Sequence, residues 1–257
     1  MSRFGNLELG GQEEHQPREN TAMAKDEAWY LAQAASAFEN GEFEQALRSY
    51  SKVLEFNPQN AAAWTAQVRM LIELGEYREA KLWADKALER FPTFPELLAA
   101  KAVALARGGD LQAAMAFSDA SIEERGDTPY VWLARGDVML ARQERRADYC
   151  FEKAMLLAPK DWFVASLAAR IRYYYEQFVL AMNLLQQAIE WNTGHFLLWL
   201  ELGRCQQAVG LLKAAHGSFT QARQLNPDCR EATQALYHLS RTGIFARIRA
   251  WFAERLG

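Results

Sequence analysis

An alanine returns at Ala46, Ala80, Ala114, Ala147, Ala181 and Ala215, in steps of 34, 34, 33, 34 and 34 residues. A period of this length marks a stacked-repeat architecture and not a single closed core. Each unit of such an array buries its apolar face only against its neighbours, which leaves long surfaces suited to binding. Other positions keep the same beat. Tyr30, Trp64, Leu98, Trp132 and Trp199 stand early in their units, with the smaller Ala165 in the fifth. Val53, Ala87, Ser121, Ala154, Ala188 and Ala222 form a second column of mostly small residues.

The spacing predicts the unit. In the sixth copy Trp199, Leu202, Gly203 and Gln206 fall at i, i+3, i+4 and i+7, one stripe of a helix. Gly210 frees a tight turn, as Gly41, Gly75 and Gly109 do in the first three copies. Ala215, Phe219 and Ala222 then repeat the stripe on a second helix. The small residues let the two backbones approach, and Trp199 and Phe219 are expected to supply the buried area. Pro58, Pro92, Pro159 and Pro227 close four of the units, where a proline cannot continue the helix. The unit is an antiparallel helical hairpin, and about fourteen helices with no strand are expected.

These positions resemble the tetratricopeptide repeat. Its pattern of a bulky residue, a Leu with a small residue, an aromatic, then Ala, aromatic, Ala and Pro is answered by Trp199, Leu202, Gly203, Ala215, Phe219, Ala222 and Pro227, with Gln206 departing. The resemblance runs from about residue 26 to 240. It implies an all-α fold, an α-solenoid of antiparallel hairpins wound as a right-handed superhelix, and a role in protein interaction whose partner the fold does not choose.

Three units depart from the pattern. The third closes on Gly126 and the fifth on Thr193. The fourth is one residue short near Gln143, and the fifth carries Arg172 where an apolar residue is expected. Drift in a tolerant fold and a local change of twist that builds a site are both compatible with these changes.

The charge balance excludes some classes. With 29 Lys and Arg against 32 Asp and Glu, the net charge is −3, which argues against a nonspecific nucleic-acid footprint. No apolar run approaches the roughly 20 residues that span a bilayer. Residues 1–20 lack the apolar core of a secretory signal and Ser2 excludes the N-myristoylation motif, so a cytoplasmic protein is expected. Cys150, Cys205 and Cys229 form no close pair, and His15, His195, His216 and His238 are scattered without ligand spacing. No phosphate-binding glycine loop or nucleophile elbow is present. The chain is therefore expected to be non-enzymatic, with no cofactor and no metal.

The chain divides into a polar N-terminal tail at 1–25, six repeats at 26–229 and a C-terminal part at 230–257. The last part opens with a seventh first-helix pattern through Ala232, Ala235, Leu236 and Leu239, broken at Thr242 and Gly243. In the final segment Ile244, Phe245, Ile248, Trp251, Phe252 and Leu256 share one helical face, while Arg247, Arg249, Glu254 and Arg255 lie elsewhere. A degenerate seventh hairpin that caps the array is one reading. A helix that meets a membrane surface or a partner's groove, with Arg247, Ile248, Arg249, Trp251 and Phe252 as contacts, is the other.

In the resembled family the first helices line a concave groove, and the ninth position of each unit points into it. That column reads Ala35, Arg69, Val103, Asp137, Arg170, Arg204 and His238. Arg170 and Arg204 are one repeat apart with Tyr173 one turn away, a set able to grip carboxylates and stack on an aromatic. Pairing of these arginines with Glu201 or other neighbours is the competing reading. The candidate groove residues are therefore Arg69, Arg170, Tyr173 and Arg204, and reversing Arg170 and Arg204 to Glu is expected to spare folding. The carboxylate clamp of chaperone-binding members is absent, since its places hold Leu31, Ala35, Ala66, Glu96 and Ala100. A protein-binding adaptor for a peptide or protein with an acidic segment is the leading expectation. A tether joining a protein assembly, such as a cytoskeletal filament, to a membrane is the second, and a regulatory subunit of an enzyme complex the third.

Overall fold

The structure, a computed structural model, describes residues 25–241. Twelve helices run as α1 (Glu27–Glu39), α2 (Phe43–Phe56), α3 (Ala61–Glu73), α4 (Tyr77–Leu88), α5 (Pro95–Arg107), α6 (Leu111–Glu123), α7 (Pro129–Ala141), α8 (Ala147–Leu157), α9 (Trp162–Tyr174), α10 (Phe178–Trp191), α11 (Phe196–Ala208) and α12 (Leu212–Leu225). A thirteenth, α13 (230–241), ends at the last described residue. No strand occurs among the described residues. The expected fourteenth helix falls beyond them, as do the tail at 1–24 and Arg247, Ile248, Arg249, Trp251 and Phe252.

The chain divides into two compact units, Met1–Leu157 and Ala158–Gly257. The first holds α1 to α8 and the second α9 to α13. Within each, consecutive helices pair as hairpins, α1 with α2 through α11 with α12, and each second helix packs on the next hairpin's first. Both small columns explain this. Ala46, Ala80, Ala114, Ala147, Ala181 and Ala215 are all buried, as are Val53, Ala87, Ser121, Ala154, Ala188 and Ala222. Within each unit two small faces on a second helix bring it close to its own partner and to the next first helix.

The turns obey the predicted chemistry and extend it. Gly41, Gly75, Gly109 and Gly210 adopt φ of 75°, 78°, 94° and 82°, the left-handed region that favours glycine. In the fourth and fifth hairpins the same corner is made by Gln143 and Glu176, at φ 59° and 58°. The residue missing from the fourth unit comes out of the next helix. Other second helices start three residues before their column alanine, whereas α8 starts at Ala147 itself and is the shortest.

The first-helix starts carry a column of caps. Asp26, Asn60, Thr128 and Asp161 accept hydrogen bonds from the amides of Trp29, Ala63, Val131, and Phe163 with Val164. Indoles pin the loops before them: Trp64 Nε1 donates to the Pro58 carbonyl at 3.0 Å and Trp199 Nε1 to that of Thr193 at 3.0 Å. Trp64 is buried, whereas Trp199 is only partly so, and Phe219 supplies the buried aromatic of the sixth hairpin. The expectation that both rings lie inside is corrected accordingly. Gly203 lies directly under Phe219, where a Cβ would come within 2.6 Å of Cε1, and Gly136 stands likewise under Phe151 at 2.8 Å from Cζ.

Gly126 also has a packing reason. A Cβ there would collide with the Ser121 carbonyl oxygen and would sit 2.8 Å from Pro95 Cβ. Gly126→Ala is therefore expected to cost about 1–3 kcal/mol through backbone displacement. A urea midpoint unchanged from that of the parent chain would contradict this.

Candidate partner-binding surface

The inward column of the first unit is filled from within. Arg69 on α3 has its guanidinium carbon 3.9 Å from the centroid of the Tyr130 ring at the start of α7 and 4.9 Å from that of Phe38 on α1. Burial raises the Tyr130 hydroxyl pKa above its ordinary value, with the Arg69 charge opposing the shift. Tyr50 is also raised by burial, and feels the same arginine. Next in the column come Val103, which is buried, and Asp137, which takes Arg107 in a two-pronged pair. Arg107 Nε donates to Oδ1 and Oδ2 at 3.3 and 3.1 Å, and Nη2 donates to Oδ2 at 2.6 Å. Both partners are almost wholly buried.

The second unit is built differently. Arg170 on α9 reaches Glu201 on α11, Nε to Oε1 at 3.4 Å, and their side chains are only 14% and 10% exposed. Arg204 on α11 reaches Glu231 on α13, Nη2 to Oε2 at 3.3 Å, with 41% and 62% exposed. Tyr173 is exposed near the end of α9, and its ring stands 5.3 Å from that of Phe178. His238 is exposed on α13.

Three arginines thus meet an acid on the next first helix: Arg107 with Asp137, Arg170 with Glu201, and Arg204 with Glu231. The column reading held Arg170, Arg204 and Asp137, and the competing expectation that the arginines pair with Glu201 or other neighbours describes Arg170. Arg107 and Glu231 were not singled out, because the partners do not fall one period apart. Asp137 follows Arg107 by 30 residues, and the shortfall from 34 is one helical turn. Tyr130 lies two hairpins from Arg69, a contact that the repeat period does not encode.

The remaining departures also have structural partners. Buried Arg172 donates from Nη1 to Gln177 Oε1 at 2.6 Å, tying the end of α9 to its own turn. Gln206, the residue that breaks the family pattern, accepts from Ser218 Oγ at 2.8 Å. The three cysteines are free and buried, and burial pushes the Cys205 thiol up to about 12, which leaves it protonated and unreactive at neutral pH. Among the described residues no helix is long and apolar enough to cross a membrane.

The model of the tetratricopeptide repeat family matches residues 31–95 and, overlapping, 65–129. No curated protein sequence matches the chain. Among solved structures, a tetratricopeptide repeat protein from Parabacteroides merdae is similar at 17% identity and a TM-score of 0.54, over 85% of this chain and 86% of that one. The human IFIT1 dimer with m7Gppp-AAAA is similar at 17% identity and 0.51, over 84% of this chain and 55% of that one. A chain of an APC/C hetero-tetramer is matched at 15% identity and 0.49, over 87% of this chain, which spans about half of it (51%). At such identities the likeness concerns the fold.

Proposed function

We propose that this chain, whose residues 31–129 match the tetratricopeptide repeat family, is a non-catalytic adaptor holding a protein segment against the first-helix face of its second unit. The observation that carries this reading is the contrast between the two arginine pairs. Arg170 and Glu201 are nearly buried, so their bond holds α9 to α11. Arg204 and Glu231 are half open to water. An exposed pair of this kind is worth only about 0–1 kcal/mol. A carboxylate on a partner can replace Glu231 at little cost and gain a two-pronged contact with the guanidinium. Exposed Tyr173, on the neighbouring first helix, adds a rigid amphipathic contact for an aromatic beside that carboxylate. Arg69 is a weaker candidate, because Phe38 and Tyr130 already occupy its faces. The free, buried cysteines suit a reducing compartment, and we place the work in the cytoplasm.

The buried pair also changes how the reading is tested. Arg170→Glu would set two carboxylates together in a dry place and loosen the second unit. Arg204→Glu, with Tyr173→Ala beside it, alters exposed side chains alone. Affinity capture from the native cell with the parent chain and with this variant is expected to lose the partner from the variant. Retention of the parent's partner should fall as salt rises, since exposed charges are screened over about 8–10 Å. Equal recovery by both chains would reject the reading.

A further inference from the structure

The second unit carries an apolar edge that the first lacks. Val179 and Leu180 open α10, and Val209, Leu211 and Leu212 make the turn from α11 to α12. All five are exposed, Val179 by 60% and Leu211 and Leu212 by 49% each. Hairpins one to three hold mostly polar residues at the matching places, Glu44 with Gln45, Arg78 with Glu79, and Gln112 with Ala113 for the α10 pair. Glu42, Glu76 and Asp110 stand where Leu211 does. Aliphatic residues gathered on two neighbouring turns are an unusual surface for water to face.

The chain itself leads to this edge. α13 stands where the repeat order puts a seventh first helix, packed on α11 and α12, and in that order its C-terminal end falls on the side of the turns. α13 keeps little apolar surface to offer, since Ala235 and Leu239 are partly buried against the same cluster. Ala232 and Leu236 are used against α11 and α12, and its exposed positions are Arg230, Glu231, Thr233, Gln234, Tyr237, His238, Ser240 and Arg241, polar but for the Tyr237 ring. A seventh second helix would find little to bury against it. Yet the sixteen residues beyond it include Ile244, Phe245, Ile248, Trp251, Phe252 and Leu256 at helical spacing.

We propose that residues 244–256 dock across the turn edge of hairpins five and six, over Val179, Leu180, Val209, Leu211 and Leu212. A helix of that length spans roughly 20 Å. Neighbouring helices pack about 8–10 Å apart, so the segment covers two turns from the point where the chain leaves α13. Thr242 and Gly243 make a short tether, which holds the segment at an effective concentration on the order of millimolar. That advantage selects this occupant over a free partner or a second copy. The inference is independent of the arginine face and stands or falls without it.

Limited trypsin digestion of the full chain reads the docking at Arg247 and Arg249. Cleavage there is expected to be slow, and to accelerate by about tenfold or more in Leu180→Glu with Leu211→Glu, because cleavage follows the open population. Ile248→Glu with Phe252→Glu, on the segment itself, should accelerate it equally. Leu211→Cys paired with Phe252→Cys should form a disulfide under mild oxidant, a readout that does not depend on the charge variants folding. Failure to cross-link overturns the proposal. So does protection that survives the edge variants, which would place the segment on α13, and so does protection lost on dilution, which would make the occupant a second copy.

Discussion

Asp137→Ala is expected to cost about 3–5 kcal/mol of stability, one of the two largest effects of any single substitution considered for this chain. The reason is what it leaves behind. Arg107 would keep its charge in a nearly dry space between α5 and α7, having lost its three hydrogen bonds to Asp137. The cost comes from the uncompensated guanidinium more than from the bond, so removing both charges should repair most of the loss. Arg107→Met with Asp137→Leu is expected to return close to the parent, or above it. Urea unfolding of the three chains makes the comparison. A single variant within about 1 kcal/mol of the parent would mean that the pair behaves as an exposed one.

Phe219→Ala is the second, at about 3–5 kcal/mol. Its ring is buried among Leu197, Leu200, Ala215 and Ala222 and rests on Gly203, so nothing can collapse into the space without moving α11 toward α12. Trp199→Ala should cost less, since part of the indole is already in water. Interactions in a repeat array are nearly nearest-neighbour, so the damage should stay local. Amide exchange should quicken in α11 to α13 and stay unchanged in α1 to α6. Uniform acceleration along the chain would contradict the one-dimensional picture.

The fold was largely legible because a stacked array repeats its demands. The buried alanines at Ala46 and its five successors recur because each second helix meets its own first helix in the same way. The glycine corners recur because each turn needs a left-handed residue, and the signal fails only at Gln143 and Glu176, where other residues adopt that conformation. Caps at Asp26, Asn60, Thr128 and Asp161 were also periodic and could have been read.

The candidate surface was less legible. Which residues sit in the inward column follows from the period, but what each of them touches does not. Arg69 meets a ring two hairpins away, and each of the three paired arginines meets an acid offset from its own column. Long side chains choose partners by reach and local charge, neither of which repeats. Whether an arginine is spent on the fold or left for a ligand depends on burial, and Arg170 and Arg204 look alike until that is known.

The most direct test of the proposed adaptor function is the hydrogen-exchange footprint of a captured partner on the chain. The account predicts slowed exchange at the end of α9, along α11 and at the start of α13, around Tyr173, Arg204 and Glu231, with α3 and α7 unchanged. Protection centred on Arg69 and Tyr130, with α11 exchanging as in the free chain, would contradict it.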